Sequence, residues 1–367
     1  MNVLFESSQI GGLTLSNRFV CSATWDGCAN ADGYCTQRNI DMLMERVRGG
    51  VGLIITGMAF VKLEGRAAPG QLGVNDDGHI KGLANMASAI HNAGGKVLLQ
   101  LAHGGCYAPP ALNGHEALGP STNHTERFPA CREMTVQEIS HVVEAFGKAA
   151  GRARQAGFDG VQLHGAHGYL LSQFLSPFFN KRTDNYSGSV ENRARILLEA
   201  FWAVRNEVGD NYPVFVKINS EDFVEGGLTV DEMLLVCSML ERAGVGAIEL
   251  SGGTVYASVA YSCFRVGVPA QDREIYYKEA ARRYKENIHV LLLLVGGIRS
   301  PEVAESVVGT GLADYISLCR PLICEPNLID RWKAGDTGPA TCKYCNGCFG
   351  PVIKGEGLRC ILPTENR

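Results

Sequence analysis

Residues 190–251 read VENRARILLEAFWAVRNEVGDNYPVFVKINSEDFVEGGLTVDEMLLVCSMLERAGVGAIELS, and the alternation inside them decides the fold. Val190–Val208 carries apolar residues at helical spacing, and Val214–Ile218 is a short apolar run of strand length. Val230–Ala243 returns to helical spacing, reaches Gly244 where a left-handed cap would stand, and leads into a second strand-like run, Ala247–Ser251. Outward in both directions the unit repeats. Strands are expected at Phe19–Thr24, Gly52–Thr56, Lys96–Ala102, Gly160–His164, Val290–Val295 and Tyr315–Leu318. Helices are expected at Gln37–Arg48, Ile80–Ala93, Val136–Ala156, Glu274–Glu286, Pro301–Val308 and Leu328–Lys333, several of them followed by glycine at Gly49-Gly50, Gly94-Gly95 and Gly157.

Eight such alternations predict an α/β fold closed as a (β/α)8 TIM barrel, rather than a doubly wound open sheet, which usually has fewer strands in this order. Runs such as LIIT and VLLLLV are nearly continuous in apolar residues, as strands buried on both faces require. The barrel is expected to occupy residues 1–335, with a short Cys-rich extension over 336–367. Residues 103–134 form a long polar connection after the third strand, of the kind that serves as a lid or binding loop.

Composition narrows the function. With 367 residues, 46% of them hydrophobic, the chain can bury a large core, which excludes global disorder. Lys and Arg total 34 against 38 Asp and Glu, so no basic field exists to hold nucleic acid or an anionic membrane. The opening MNVLFESSQIGGLTLSNR lacks the apolar run of a signal peptide, and the longest apolar stretch, Val290–Val295, is too short to cross a bilayer. A soluble cytoplasmic protein is expected, its 13 cysteines held in a reducing compartment where clustered thiols bind metal more often than they pair.

In a barrel, chemistry sits where strands end. The fourth strand runs into His164, His167 and Tyr169, flanked by Gly165 and Gly168. Two imidazoles can donate to one oxygen while a phenol gives up a proton, a constellation for polarising a carbonyl. Structural histidines in a loop, or a metal pair lacking its third ligand, are the bland readings. The seventh and eighth strands end in Gly296-Gly297 and Cys319-Arg320, where backbone N–H groups, an arginine and the start of the helix at Pro301 suit a phosphate. Gln100 after the third strand and Lys217 in the fifth suit a heteroaromatic ring on which negative charge develops. Together they sketch a pocket for a mononucleotide-like cofactor.

These residues resemble the Old Yellow Enzyme family of FMN-dependent oxidoreductases over residues 1 to 335. The resemblance is carried by NRFV (17–20), QLAHGG (100–105), GFDGV (157–161), HGAHGYLLSQFLSP (164–177), NKRTD (180–184) and ENR (191–193). It implies non-covalent FMN at the barrel mouth, with Ser22, Ala23, Thr24 and Gly57 beside the ring, Gln100 on its pyrimidine edge and Lys217 where many relatives carry arginine. Gly296, Gly297, Cys319 and Arg320 would hold the phosphate. The resemblance further implies that NAD(P)H reduces the flavin and that an unsaturated carbonyl substrate takes hydride from it. His164 and His167 would grip the substrate oxygen, and Tyr169 would donate the proton. Trp25 stands where many relatives have a flavin-tuning cysteine or threonine and is expected at the substrate, and Gly27 replaces a pocket tyrosine found in some of them. A homo-oligomer is expected.

The extension carries Cys342, Cys345, Cys348 and Cys360, spaced C-x2-C-x2-C-x11-C. Four thiols suit a [4Fe-4S] cluster or zinc, or remain unmetallated, and the spacing is similar to that of trimethylamine dehydrogenase. Because the sequence ends at Arg367, an onward electron route is expected in a partner polypeptide. The other nine cysteines, among them Cys21, Cys106 and Cys263, show no ligand spacing, and most of them read as packing residues. The expected function is an FMN-dependent reductase of enones and enoates. The alternatives are a C–N oxidoreductase acting on amines, or an electron-transfer subunit of a larger flavoprotein.

Overall fold

The computed structural model describes residues 2–125 and 128–362. Eight parallel strands form the barrel: β1 Phe19–Cys21, β2 Leu53–Ile55, β3 Val97–Ala102, β4 Gly160–Gly165, β5 Val214–Asn219, β6 Ala247–Ser251, β7 Leu292–Val295 and β8 Tyr315–Leu318. Each pairs with the next, and β8 closes on β1 through Ile316 opposite Phe19 and Leu318 opposite Cys21. The covering helices are α1 Gln37–Arg48, α2 Ile80–Asn92, α3 Val136–Gln155, α4 Val190–Val208, α5 Val230–Arg242, α6 Lys278–Asn287, α7 Pro301–Gly309 and α8 Leu328–Lys333. The fold is a TIM barrel, with all eight expected strands in place. Among the described residues, no helix is long and apolar enough to cross a membrane.

Alternation along the strands places the site. Val20, Leu98, Phe215 and Ala247 point inward and, with Ile10 and Leu15 of an N-terminal hairpin, fill the lower lumen with an apolar cluster. Two residues further along each strand the same face presents Ser22, Gln100, Lys217 and Glu249. An apolar floor therefore supports a polar layer, and the cavity opens above it.

Two segments depart from expectation. The helix expected at Glu274–Glu286 begins at Lys278, because the Glu274 carboxylate turns inward to accept from Arg299 N and Ser300 N at 2.9 Å each and from the Ser300 hydroxyl at 2.5 Å. That carboxylate engages the backbone amides of Arg299 and Ser300, the two residues leading into α7. In the connection after β3, strand Phe128–Glu133 folds back over the turn Gly105–Tyr107 and brings Cys106 within 5.2 Å (Cα–Cα) of Cys131. The two form a disulfide, so Cys106 is a cross-link rather than a packing residue.

The Cys-rich extension lies on the barrel rim. Ala340 N donates to Arg299 O at 2.7 Å, the Tyr344 hydroxyl to Ile298 O at 3.2 Å, and Leu358 N to Asp26 O at 2.9 Å. Its short helix Phe349–Ile353 sets Val352 against Gly27, where a Cβ would come within 2.5 Å of Val352 Cγ1. The space that a larger side chain at position 27 would need is thus occupied by the extension.

Candidate active site

A cavity of about 450 Å³ opens at the C-terminal ends of the strands, a size ordinary for a cofactor or drug-sized ligand. Of the residues singled out from sequence, Ser22, Ala23, Thr24, Trp25, Gln100, His164, His167, Tyr169, Lys217, Gly296, Cys319 and Arg320 line it. Gly57 and Gly297 do not. Gly57 lies one layer below, where a Cβ would meet Thr24 O at 2.7 Å, and Gly297 packs on Glu274 O. Both let one backbone pass close to another.

The floor is a continuous hydrogen-bonded chain. Gln100 Nε2 donates to Gln162 Oε1 at 2.7 Å, and Gln162 Nε2 to Glu249 Oε2 at 3.0 Å. Lys217 Nζ stands 3.3 Å from the same Oε2 and donates to Ser22 Oγ at 2.8 Å. Gln100 thus keeps its Oε1 without a partner among the described residues. Gln162 and Glu249 are fully buried and were not picked out from sequence. Their signal was there: each lies two residues before a strand-end polar residue, His164 and Ser251, and so faces the same lumen.

The His164 ring lies 4.6 Å from that of Tyr169 and 5.4 Å from that of His167, edge to face in the latter pair. His167 has φ +62, and its backbone N–H donates to Asn219 Oδ1 at 3.0 Å, while its Nε2 sits 2.7 Å from Ser251 Oγ. Asn219 and Ser251, at the ends of β5 and β6, therefore orient this imidazole. His164 Nδ1 is buried with no hydrogen-bond partner among the described residues. Burial, with His167 and Lys217 nearby, holds the His164 pKa well below its usual value. Burial and Lys217 lower that of His167 to about 3. Both rings are neutral at physiological pH. Burial raises the Tyr169 pKa, so its phenol keeps its proton.

The rim is built partly by the extension. Arg320 Nη1 donates to Asn346 Oδ1 at 2.8 Å and its guanidinium lies 4.4 Å from the Tyr344 ring centre. Trp25 Nε1 is tied to Pro69 O at 3.0 Å, and Thr24 Oγ1 lies 2.8 Å from Cys319 Sγ. Cys342, Cys345, Cys348 and Cys360 line one small cavity beneath this rim, joined there by Cys324, whose Sγ is 3.5 Å from that of Cys360. Among the described residues, no three His, Cys, Asp or Glu side chains are arranged to hold a metal ion.

The family model described as NADH:flavin oxidoreductase / NADH oxidase matches residues 3–337. The chain belongs to that family, the Old Yellow Enzyme family. It is 36% identical over 371 residues to an NADH oxidase of Thermoanaerobacter brockii, covering 99% of this chain and 56% of that one. To a cinnamate reductase of Clostridium sporogenes it is 34% identical over 387 residues, covering 98% and 57%. A 2-naphthoyl-CoA reductase solved in complex with 2-naphthoyl-CoA superposes with a TM-score of 0.91 at 30% identity, covering 100% of this chain and 57% of that one. The chain spans just over half the length of these members of the flavin oxidoreductase family.

Proposed function

We propose that this chain binds FMN across the barrel mouth and uses NAD(P)H to reduce C=C bonds activated by a carbonyl or acyl group, as in enones and enoates. One observation carries the reading: a buried ammonium and an unpaired amide oxygen line a single cavity together with two neutral imidazoles and a phenol. The residues suit the cofactor. Gln100 Oε1 is left to accept from a ring N–H, Lys217 is placed beside the electron-rich edge, and Ser22, Ala23 and Thr24 offer backbone groups. Gly296, Cys319 and Arg320 would receive the phosphate, with Gly297 shaping their loop. Bound FMN would supply the two-electron chemistry, taking hydride from NAD(P)H and passing it to the substrate's β carbon.

The protein's own groups supply the rest. His164 and His167, uncharged, donate hydrogen bonds to the carbonyl oxygen, where negative charge grows only as the double bond is reduced. If the Ser251 hydroxyl donates to Nε2, 2.7 Å away, the His167 proton is left on Nδ1 to face the substrate. Tyr169 delivers its proton to the α carbon, so the product gains one hydride and one proton while NAD(P)H becomes NAD(P)+. One relative is named a cinnamate reductase, and cinnamate is an enoate. A box of rings that could take a cationic amine, made by Phe223, Tyr261, Tyr276 and Tyr277, already encloses Arg265 at 4.5–5.5 Å, which favours C=C over C–N chemistry.

For the four extension thiols we propose a [4Fe-4S] cluster on the strength of their sequence spacing alone, since among the described residues their side chains as they stand are not gathered around a metal. Protein prepared without oxygen should contain about four irons per chain; zinc, or neither metal, would overturn the assignment. The main reading is tested by anaerobic titration. NAD(P)H should bleach bound flavin, and cyclohexenone or cinnamate should restore its colour and yield the saturated product. Reduced flavin that persists with cyclohexenone, cinnamate and an enoyl thioester would sink it.

A further inference from the structure

Arg265 sits in the loop after β6 and lines the same cavity as Gly296 and Arg320. Its guanidinium carbon lies 4.5 Å from the ring centre of Tyr276, 5.1 Å from those of Tyr277 and Phe223, and 5.5 Å from that of Tyr261. Rings attract the face of a guanidinium but cannot accept the in-plane hydrogen bonds of its nitrogens. Arg265 Nε and Nη2 are buried with no hydrogen-bond partner, and the residue makes no ion pair among the described residues. Glu221, whose charge it feels, is not bonded to it. A charged fork whose Nε–Nη2 edge is buried among rings and lacks an acceptor is unfavourable unless an anion completes it.

Its surroundings name the anion. The Arg265 carbonyl accepts from Arg320 Nη1 at 2.6 Å, so the two arginines are coupled at the end of the cavity that carries Gly296. The amides of Arg299 and Ser300, which lead into α7 there, are already engaged by Glu274. Arg320 is partly engaged by Asn346 and Tyr344. Side chains supply positive charge at this end, and Arg265 brings two buried donors, Nε and Nη2, that lack a partner among the described residues. We infer that Arg265 is a phosphate-binding residue, closing on the terminal phosphoryl group of the flavin mononucleotide with two parallel N–H···O bonds. The inference rests on the flavin reading above and extends it to a residue of the β6 loop. Tyr276 and Tyr277, the rings at 4.5 and 5.1 Å, act as its positioning residues.

The test uses flavin-stripped protein, its binding of FMN and of riboflavin followed by flavin fluorescence. Wild type should prefer FMN. Arg265→Gln should weaken FMN by about 10- to 100-fold and leave riboflavin within about twofold, the unchanged riboflavin binding reporting an intact ring site. Arg265→Lys, which keeps the charge without the fork, should fall between. Raised salt should weaken FMN in wild type more than in Arg265→Gln. If wild type binds FMN but Arg265→Gln binds it equally well, the inference falls and the flavin reading stands. If Arg265→Gln loses FMN and riboflavin alike, the residue shapes the ring site and the phosphate role falls too. Should wild type bind neither flavin, the reading beneath it fails.

Discussion

His164 and His167 show how burial decides the way a residue works. Enclosed at the strand ends, beside one another and near Lys217, both imidazoles are held uncharged far below the pH at which histidine ordinarily takes up a proton. In the proposed reaction they would act as neutral donors, and activity should show no histidine-dependent acid limb between about pH 5 and 8; a kcat/KM profile with an inflection near 6.5 that disappears in His164→Ala would contradict this. The double variant His164→Ala/His167→Ala should retain flavin yet lose the long-wavelength absorbance that phenols induce on binding. Each single variant should lower kcat/KM by about 10²- to 10³-fold. Tyr169→Phe should slow reoxidation of the enzyme by an enone while leaving reduction by NAD(P)H unchanged, a separation that stopped-flow absorbance resolves. Sequence brought these three residues forward together because they follow one strand. Ser251 and Asn219, which aim His167, sit more than 50 residues away, and only their strand-end positions hinted at them.

Strands and helices set the site through period and termination. Each inward position of β3, β5 and β6 is apolar below and polar one step above, so the Gln100–Gln162–Glu249–Lys217 chain follows from alternation once the barrel closes. The pairing of Lys217 with Glu249 was not legible, because charge complementarity across two strands requires their register, Lys217 opposite Glu249. Likewise, helical spacing over 274–286 could not reveal that Glu274 serves another helix. The short helix Phe349–Ile353 offers a direct check on how the extension docks. Gly27→Ala places a methyl against Val352 and keeps φ at +64, and should cost about 1–3 kcal/mol in chemical denaturation. Adding Val352→Ala should return part of that loss. Additive losses in the double variant would mean that the two residues do not meet.

For the molecule as a whole, the buried imidazoles couple stability to acid. Burial lowers His103 to about 4 and His167 to about 3, with His164 shifted the same way. In the unfolded chain these groups take up protons near pH 6.5, whereas the folded protein resists, so their stabilisation is complete above that pH and is lost as pH falls toward 4 and 3. Each should contribute a slope of up to about 1.4 kcal/mol per pH unit. Denaturant midpoints measured from pH 7 to 4.5 should fall steadily, and His103→Asn should flatten the slope; a flat wild-type profile would show that the rings are not buried neutral in solution. By itself the sequence determined the number and order of the strands, the closed barrel and the strand-end residues, because periodicity, glycine punctuation and local motifs are written within a few residues of one another. Only the tertiary structure decided the rest: the buried acid beside Lys217, the carboxylate that engages the amides leading into α7, the Cys106–Cys131 link, the extension filling the space beside Gly27, and Arg265 between its rings. Each of these depends on groups far apart in the chain meeting at hydrogen-bond or contact distance, and such meetings leave no trace in local spacing.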